Sequence, residues 1–390
     1  MAALADRAPS GLREAVLSLR DRLVANPAFR RWAARFPLTR RIARKRARAL
    51  FDLSAGFVYS QILYACVRLD LFAVLAEGPA EERTLAARLS LPPEGASLLL
   101  KGAEALGLVQ RRGALWGLGP LGAAMVGNRA VAAMVEHHAA LYADLADPVA
   151  LLRGQGGGGE LARLWGYVRA EDPRALGAQD VARYSALMAD SQTLIADEVL
   201  DAFDLSDRRL LMDVGGGEGA FLIAAGRRHP ALRLRLFDLP AVAERARARF
   251  AAAGMAARAE AVGGDFHRDA LPGGADAVSL LRVVHDHDDA AAARLLARAH
   301  AALPPGGVLL LAEPMAGTPG AEPVGDAYFG FYLRAMGSGR PRRAAELVAM
   351  LRAAGFAEAR PVPTATPLQT GLIVARRGAC RRWPPCVSFS

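Results

Sequence analysis

Cysteine is scarce in this chain of 390 residues, which has three, at Cys66, Cys380 and Cys386. No two of them have the spacing of a metal-binding pair, and an odd number does not make a complete disulfide framework. The sequence therefore argues against a disulfide-stapled secreted domain. It predicts a protein of the reducing cytoplasm that holds no metal ion.

Long apolar runs are also missing. An uncharged, largely apolar stretch covers residues 53–67, which is shorter than the roughly 20 residues that a membrane-spanning helix needs. The first 20 residues contain no continuous apolar core, so no signal peptide is expected. These absences predict a cytoplasmic protein that contacts the inner membrane at most peripherally.

Acidic residues are rare at the beginning of the chain. Residues 1–50 hold 13 Lys and Arg but only three Asp and Glu, and this excess equals the net charge of +10 of the whole chain. The remaining residues are balanced. A basic arm suits an anionic partner, either nucleic acid or acidic lipid. Trp32, Phe36 and Leu38 lie among its arginines, as in helices at a membrane interface, although an ordinary packed and solvated helix fits the same pattern.

Glycine is concentrated where an apolar run ends. Residues 210–214 read as a buried strand, Gly215, Gly216, Gly217 and Gly219 follow, and a helical pattern starts at Ala220. Gly215 and Gly217 would let a ligand lie close to the backbone, because glycine has no Cβ. The spacing is not that of the Gly-x-Gly-x-x-Gly dinucleotide fingerprint, so a pyrophosphate is not implied.

Four more apolar runs follow, and each ends in a polar side chain. Asp238 comes about 20 residues after the glycines, where an acid can bind ribose hydroxyls. Asp265, His285 and Glu313 end the later runs. Ligands of an open parallel sheet bind beyond the carboxyl ends of its strands, so these groups should face one crevice. A ligand with ribose and adenine but no phosphate fits best, which indicates S-adenosylmethionine as the cofactor.

The motifs also carry a family resemblance. Asp-Val-Gly-Gly-Gly-Glu-Gly (213–219), Phe-Asp-Leu-Pro (237–240), Gly-Asp-Phe (264–266), Val-His-Asp (284–286) and Ala-Glu-Pro (312–314) occur in this order. Together they resemble the S-adenosylmethionine-dependent O-methyltransferases of the plant caffeate and flavonoid type and their bacterial relatives, over residues 50–378. The resemblance implies an α/β, Rossmann-like class I methyltransferase domain preceded by an all-helical, winged-helix dimerisation domain.

We therefore expect four segments and a homodimer. They are a basic helical arm (1–50), a winged-helix-like dimerisation domain (51–180), a methyltransferase domain that binds S-adenosylmethionine (181–378) and a disordered tail (379–390).

A winged helix also raises the possibility of DNA binding. Residues 81–126 read as helix, turn, helix and a hairpin that turns at Gly113. The second helix carries Lys101 but also Glu94 and Glu104, whereas a helix that reads the major groove is rich in Arg, Asn and Gln. This favours a dimerisation role and no nucleic-acid partner, although a winged-helix binding protein with a relic methyltransferase domain stays open.

The resemblance assigns roles to single residues. The resemblance makes His285 the general base, a role that suits a histidine because its side chain titrates near neutral pH. It makes Glu313 the acid that orients His285. It places Asp238 on the ribose with Leu239 beside the adenine. The other implied contacts are Asp265 on the adenine amino group, Phe266 on its ring, Arg282 on the methionine carboxylate, and Tyr184 and Met188 on the acceptor.

Two departures bear on the acceptor. The family's tryptophan after His-Asp is replaced by His287, and its second glutamate falls at Pro341, so a single acid is expected to flank the base. A metal site at residues 285–289 is disfavoured, because Asp288 and Asp289 look like a helix N-terminus.

The beginning of the chain narrows the resemblance. Residues 35–44, 49–53 and 56–61 resemble the carotenoid O-methyltransferases of purple phototrophic bacteria, which methylate the 1-hydroxy group of acyclic carotenoids such as demethylspheroidene and hydroxyneurosporene. The implied acceptor is a lipophilic carotenoid of photosynthetic membranes. A phenolic or polyketide acceptor is the alternative.

Overall fold

The computed structural model describes residues 11–155, 158–165, 195–365 and 370–378, together with Arg174, Gly177 and Gln192. The chain forms two compact units, which divide between Ala124 and Met125. The domain boundary expected near residue 180 lies outside the described residues.

The first unit is helical with one small hairpin. Its helices pack in sequence, and β1 pairs antiparallel with β2 around Gly113, which has a φ of 67°. The helix–turn–helix–hairpin order expected for residues 81–126 is thus present. The helices span Leu12–Ala25, Pro27–Arg35, Arg40–Arg68, Leu71–Ala76, Glu82–Arg88, Pro93–Ala105 and Pro120–Ala123, and the strands are β1 (Val109–Arg112) and β2 (Leu115–Leu118).

The longest helix, Arg40–Arg68, runs through the expected boundary at residue 50. Its first half is basic and its second half apolar. Among the described residues it is the one helix long and apolar enough to cross a membrane by length and composition. Core helices of soluble proteins meet the same test, so this composition does not by itself indicate a membrane span.

The second unit is built on a seven-stranded sheet. Its strand order is β5-β4-β3-β6-β7-β9-β8, and the first five of these pair in parallel. The five strands expected from the apolar runs are all present. The strands are β3 (Leu210–Val214), β4 (Arg233–Asp238), β5 (Ala259–Gly263), β6 (Ala277–Leu281), β7 (Val308–Glu313), β8 (Phe356–Val362) and β9 (Gly371–Arg377).

Helices cover both faces of this sheet. Because side chains alternate along a strand, Leu211 of β3 enters one apolar core while Met212 enters the other. Parallel strands buried on both faces explain the continuous apolar runs in the sequence. The helices that follow and cover them span Ala220–Arg228, Pro240–Ala252, Asp289–Ala302 and Ala344–Ala353.

A third apolar cluster lies beside the sheet. It joins helix Arg129–Asp144 to helix Gly330–Met336 through residues such as Leu141, Trp165 and Tyr332. The segment before Gly330 is a π-helix, Pro323–Phe329, a form often found at functional sites. The remaining described helices here span Pro148–Leu152 and Glu160–Leu164, and a further one covers residues 195–202.

Candidate active site

The glycine turn after β3 lies open to a ligand. Gly215, Gly217 and Gly219 have φ values of 70°, 60° and 77°, a region that other residues adopt only with strain. A Cβ on Gly219 would lie 2.5 Å from the Phe250 ring, whereas a Cβ on Gly217 would meet nothing within 4 Å. The turn therefore packs tightly on one side and presents bare backbone on the other.

Asp238 lies at the end of β4 and faces this turn. Its Oδ2 accepts from the Gly217 N–H at 2.8 Å, and its Oδ1 accepts from the Leu239 N–H at 2.7 Å. Each carboxylate oxygen can accept two hydrogen bonds, so two acceptor positions remain for a diol. Burial raises the pKa of Asp238 to about 6, against the opposing effect of the two N–H groups.

A second carboxylate, that of Asp213 near the end of β3, is fully buried. Asp213 Oδ1 accepts from Ser279 Oγ at 2.6 Å, which links β3 to β6, and Oδ2 has no partner among the described residues. Burial raises the pKa of Asp213 to about 7. A buried acceptor without a partner is costly, and one beside an open glycine turn suits a ligand that donates a hydrogen bond.

Asp265 and Phe266 follow β5, at the same edge of the sheet as the glycine turn and Asp238. Asp265 Oδ1 accepts from the His267 N–H at 2.7 Å. The Phe266 ring makes edge contacts with His267 at 4.6 Å and with His287 at 5.5 Å between centroids. The result is an apolar ring with a carboxylate beside it, as a purine with an exocyclic amine requires.

His285 lies between two carboxylates. Its Nδ1 contacts Glu313 Oε2, and its Nε2 is 3.1 Å from Asp286 Oδ1. Glu313 is fixed in turn, because its Oε1 accepts from the N–H groups of Val283 and Val284. The expectation that a single acid flanks the base is wrong, since Asp286 supplies the second.

This environment sets the proton affinity of His285. Burial alone lowers the pKa of the imidazole, but the charges of Asp286 and Glu313 outweigh it and the net pKa is raised. His285 is 5% exposed. The imidazole is therefore an oriented base that binds a proton more tightly than a histidine in water.

Arg342 holds the turn that carries His285. The guanidinium is almost fully buried and donates to the carbonyl oxygens of Val284 and His287 at 2.9 and 2.7 Å. It also pairs with Asp289 at 2.8 Å. A Cβ on Gly339 would lie 2.0 Å from the His285 carbonyl oxygen. The segment around Pro341 thus supports the base through its backbone and Arg342.

His285 and His287 point to different partners. His287 packs against His267 and Phe266, and burial followed by the charges of His267 and His285 lowers its pKa to about 3. Among the described residues no group of three metal-binding side chains converges. Asp288 caps helix Asp289–Ala302 by accepting from the Ala291 N–H, as the pattern of acids predicted.

Aromatic rings form a wall on the other side of His285. Phe329 of the π-helix lies edge-on to the imidazole, with 5.8 Å between centroids. Beyond it, Tyr328 and Tyr332 hydrogen-bond to His138 and His137 at 2.8 and 2.6 Å. Burial, then the charges of His138 and Arg282, lowers the pKa of His137 to about 4. The aromatic wall is therefore polar, and its histidines carry no charge.

The other predicted site residues are placed as follows. Arg282 follows β6 with a φ of 57°, and its charge acts on the wall residues His137, Tyr328 and Tyr332. Its predicted contact with the methionine carboxylate stays a prediction. Tyr184 and Met188 lie outside the described residues.

Several residues of the site were not expected from the sequence. Asp286 was visible in the His-Asp motif but its side chain was given no role. His137 and His138 were given no role, yet each reaches one tyrosine of the pair Tyr328 and Tyr332. Nothing in the sequence marks Arg342, which stands in a run of arginines.

A parallel sheet with a glycine turn, an acid after the second strand and a buried histidine–glutamate pair defines the class. It is a Rossmann-like class I methyltransferase that uses S-adenosylmethionine as its cofactor. The open turn, Asp238 and the Asp213 oxygen that lacks a partner in the described part of the chain fit that ligand. Family models match residues 142–357 as an O-methyltransferase domain and residues 51–128 as an O-methyltransferase dimerisation domain. The chain belongs to this O-methyltransferase family.

Individual relatives agree with this assignment. The chain is 46% identical over 384 residues to the demethylspheroidene O-methyltransferase of Cereibacter sphaeroides, covering 97% of this chain and 99% of that protein. It is 43% identical to the enzyme of the same name from Rhodobacter capsulatus, over 88% of this chain and 86% of that protein. It is 36% identical to acetylserotonin O-methyltransferase of Mus musculus, over 80% and 84%.

Solved structures show the same fold. The crystal structure of human N-acetylserotonin methyltransferase in complex with S-adenosylmethionine superimposes with a TM-score of 0.72 at 26% identity, over 85% of this chain and 98% of that one. The expected fold class, enzyme class and cofactor are confirmed. The dimerisation-domain match supports the expected homodimer.

Proposed function

We propose that this enzyme methylates the 1-hydroxy group of an acyclic carotenoid of the demethylspheroidene or hydroxyneurosporene type, in carotenoid biosynthesis. The observation that carries the proposal is the 46% identity to a demethylspheroidene O-methyltransferase, which extends over 97% of the chain and so takes in the N-terminal arm as well as the catalytic domain. The acceptor is then an apolar polyene with one reacting hydroxyl at its end.

His285 is the general base in this proposal. S-adenosylmethionine supplies an electrophilic methyl group on a sulfonium. Glu313 holds Nδ1 of His285, so Nε2 would take the proton of the acceptor hydroxyl once it turns from Asp286 to the acceptor, as the oxygen–carbon bond forms and the methyl carbon–sulfur bond breaks. Asp286 lies 3.1 Å from Nε2 and stabilises the imidazolium that results.

The weak acidity of the acceptor hydroxyl decides when its proton is removed relative to methyl transfer. An alcohol is about as weak an acid as water, so complete proton transfer to an imidazole in advance would cost roughly 12 kcal/mol. Proton removal must therefore accompany methyl transfer. The raised pKa of His285 favours this, because a stronger base takes the proton earlier along the reaction.

The proposed cofactor contacts use the hydrogen-bonding positions that the site leaves open. Asp238 binds the ribose hydroxyls, with Leu239 beside the adenine. Asp265 binds the adenine amino group and Phe266 packs on its ring. Gly215 and Gly217 allow close backbone approach, and Arg282 binds the methionine carboxylate. Tyr184 and Met188 contact the acceptor.

A phenolic or polyketide acceptor is the second candidate. One observation favours it: Asp286 gives the base a second flanking acid, although the family's glutamate is replaced by Pro341. Relatives with phenol-type names are less similar, for example the 3-hydroxy-5-methyl-1-naphthoate 3-O-methyltransferase of Streptomyces sahachiroi at 33% identity.

A DNA-binding role with a relic catalytic domain has less support. The complete His285–Glu313 pair and its backbone supports have no use in such a protein. We propose instead a cytoplasmic homodimer that meets its lipophilic acceptor at the surface of the inner, photosynthetic membrane, through the basic arm.

The deciding experiment supplies methyl-labelled S-adenosylmethionine and a 1-hydroxy acyclic carotenoid in detergent. Label should appear in a methoxy carotenoid, and His285→Gln should lower kcat by about two to four orders of magnitude. His300→Gln is the matched control, because His300 lies on helix Asp289–Ala302 next to Phe356, away from the proposed base.

Three results would count against parts of this proposal. Transfer to phenols but not to the carotenoid would favour the second candidate. Equal transfer by His285→Gln would remove the general base. Salt-sensitive retention on DNA without any turnover would support the binding-protein alternative.

A further inference from the structure

The excess of positive over negative charge in this protein is confined to one end of the chain. Residues 1–50 carry an excess equal to the full net charge of +10, and the remaining residues sum to zero. The dimerisation-domain match begins only at residue 51, so the arm precedes the segment that the family uses for association. The dimerisation domain therefore does not account for the positive charge and the exposed surfaces of the arm, which call for a separate binding partner.

The first described helix of the arm, Leu12–Ala25, has an apolar stripe that nothing covers within its unit. Leu12, Val16, Leu19 and Leu23 recur at helical spacing and are 84%, 58%, 52% and 41% exposed. None of its residues is buried. A stripe of this kind normally faces a core, and here it faces outwards.

The second helix, Pro27–Arg35, adds aromatic rings and arginines. Trp32 stacks on Phe36 with 4.9 Å between ring centroids and lies 5.5 Å from Phe29. Trp32 is half exposed. Arg31 and Arg35 line a shallow groove beside these rings. Amphipathic aromatic rings next to arginines suit the level of lipid headgroups, where the rings meet acyl chains and the guanidinium groups meet phosphate.

We propose that residues 11–42 of the arm bind the surface of an anionic phospholipid bilayer, with the Leu12–Leu23 stripe and the Trp32–Phe36 rings inserted and the arginines on lipid phosphates. Charge decides between the possible occupants. A second copy brings an arm of the same sign and a body with no net charge, whereas an anionic bilayer attracts every basic residue of the arm. The purpose of this contact, access to a membrane-dissolved acceptor, rests on the proposed function; its physical basis does not.

The test is binding of the full-length protein to vesicles that contain no acceptor. Vesicles of phosphatidylglycerol mixed with phosphatidylcholine should sediment the protein, and vesicles of phosphatidylcholine alone should not. Binding should weaken as salt rises through the range in which the Debye length shrinks below about 10 Å. Equal binding to both kinds of vesicle would overturn the electrostatic part of the proposal.

Variants locate the surface. Each basic residue near an anionic bilayer strengthens binding about fivefold, so replacing Arg30, Arg31 and Arg35 together by Gln should weaken it on the order of a hundredfold. The matched control replaces three exposed arginines of the second unit, Arg227, Arg352 and Arg360, and should bind like the wild type. Equal losses in both triple variants would assign the effect to general charge and overturn the arm as the site.

Insertion has a separate signal. Trp116 and Trp165 are buried, so in a Trp383→Phe background a blue shift of tryptophan fluorescence on anionic vesicles, quenched by brominated acyl chains, would report Trp32. Val16→Ser with Leu19→Ser should reduce binding that persists at high salt. An unchanged emission spectrum at saturating vesicles would overturn insertion.

Catalysis separates this proposal from the proposed function. The arm variants should methylate detergent-dispersed carotenoid within about twofold of the wild-type rate and lose activity on carotenoid held in anionic vesicles. A wild-type enzyme that methylates carotenoid in detergent but does not bind anionic vesicles would overturn the arm proposal alone. A wild-type enzyme that binds vesicles but methylates no carotenoid would overturn the proposed acceptor and leave the arm proposal standing. Dissociation of the dimer by the arm variants, with vesicle binding unchanged, would identify a second copy as the occupant.

Discussion

At the scale of single residues, the site is defined by two carboxylates that share one imidazole. Glu313 cannot move freely, because the N–H groups of Val283 and Val284 hold it. Asp286 is partly exposed and its side chain has a looser contact at 3.1 Å. Glu313 therefore orients the ring, while Asp286 mainly adjusts the affinity of the ring for a proton.

This division of roles predicts a change in the pH profile. The base must be neutral to act, so kcat/KM should rise as pH rises through the raised pKa of His285. Asp286→Asn removes a nearby negative charge, lowers that pKa and should move the rising limb to lower pH by about one to three pH units. Profiles of kcat/KM against pH for the two proteins provide the measurement.

The control for this change is Asp288→Asn, two residues further on. Asp288 caps helix Asp289–Ala302, and Asn is also a good cap, so stability and the pH limb should both stay close to those of the wild type. If Asp286→Asn leaves the limb in place, Asp286 does not act on the base.

Asp238 should make cofactor binding depend on pH. Its carboxylate is the acceptor for the ligand hydroxyls, and its pKa is about 6 because of burial. As pH falls through this value the group takes a proton, and the affinity for S-adenosylhomocysteine should fall about tenfold for each further pH unit. Titration calorimetry between pH 7.5 and 5 measures this.

Asp238→Asn provides the matching variant. It should weaken binding about 10- to 100-fold at pH 7.5, since hydrogen bonds to a charged group contribute about 1.5–3 kcal/mol, and it should remove the acid limb. A limb that persists in this variant would assign the titration to Asp213, whose pKa is about 7.

At the scale of elements, residues 339–343 support the turn that carries the base. Arg342 is almost fully buried and donates to two carbonyl oxygens of that turn. Arg342→Met would leave the His287 carbonyl oxygen without this donor and the Val284 oxygen with only the His287 N–H at 3.3 Å. It should lower the free energy of unfolding by about 2–4 kcal/mol, with a parallel loss of kcat. Urea denaturation followed by circular dichroism measures the first effect.

Arg340→Gln is the comparison for that variant. Arg340 pairs with Asp289 and Glu346 but its side chain is 43% exposed, and exposed ion pairs contribute about 0–1 kcal/mol. Equal losses in the two variants would mean that the buried contacts of Arg342 add nothing.

The elements also show what the sequence could predict. Four of the five parallel strands were predictable because they are mostly buried and have a polar residue at or near their end. The edge strand β5 has one buried residue and was marked by the Gly-Asp-Phe motif that follows it. Strand β8 was missed because its burial does not alternate: two exposed residues separate the buried Phe356 and Ala359, and Arg360 is exposed as well. The π-helix that carries Tyr328 and Phe329 has no signature in residue spacing. Neither does the contact of His285 with Asp286, which depends on how a short 3₁₀ turn orients adjacent side chains.

At the scale of the whole molecule, the first unit presents two apolar surfaces. One belongs to the arm, and the other is the exposed face of helix Arg40–Arg68 around Leu50, Phe51, Leu53 and Phe57, which are between 65% and 81% exposed. The second surface reaches into the matched dimerisation domain. Its charge is low, so it suits a second copy, whereas the basic arm suits lipid.

The two surfaces should therefore be separable by mutation. Leu53→Glu with Phe57→Glu places charges in an apolar interface and should convert the dimer to a monomer, because an unpaired buried charge costs several kcal/mol; light scattering measures the mass. Val149→Glu with Leu152→Glu, on exposed residues of the second unit, should leave the dimer intact. The monomer should still bind anionic vesicles, though more weakly, because one arm replaces two. A Leu53 and Phe57 variant that remains dimeric would place the dimer contact elsewhere, and a monomer that no longer binds vesicles at all would mean that the arm and the dimer face form a single surface.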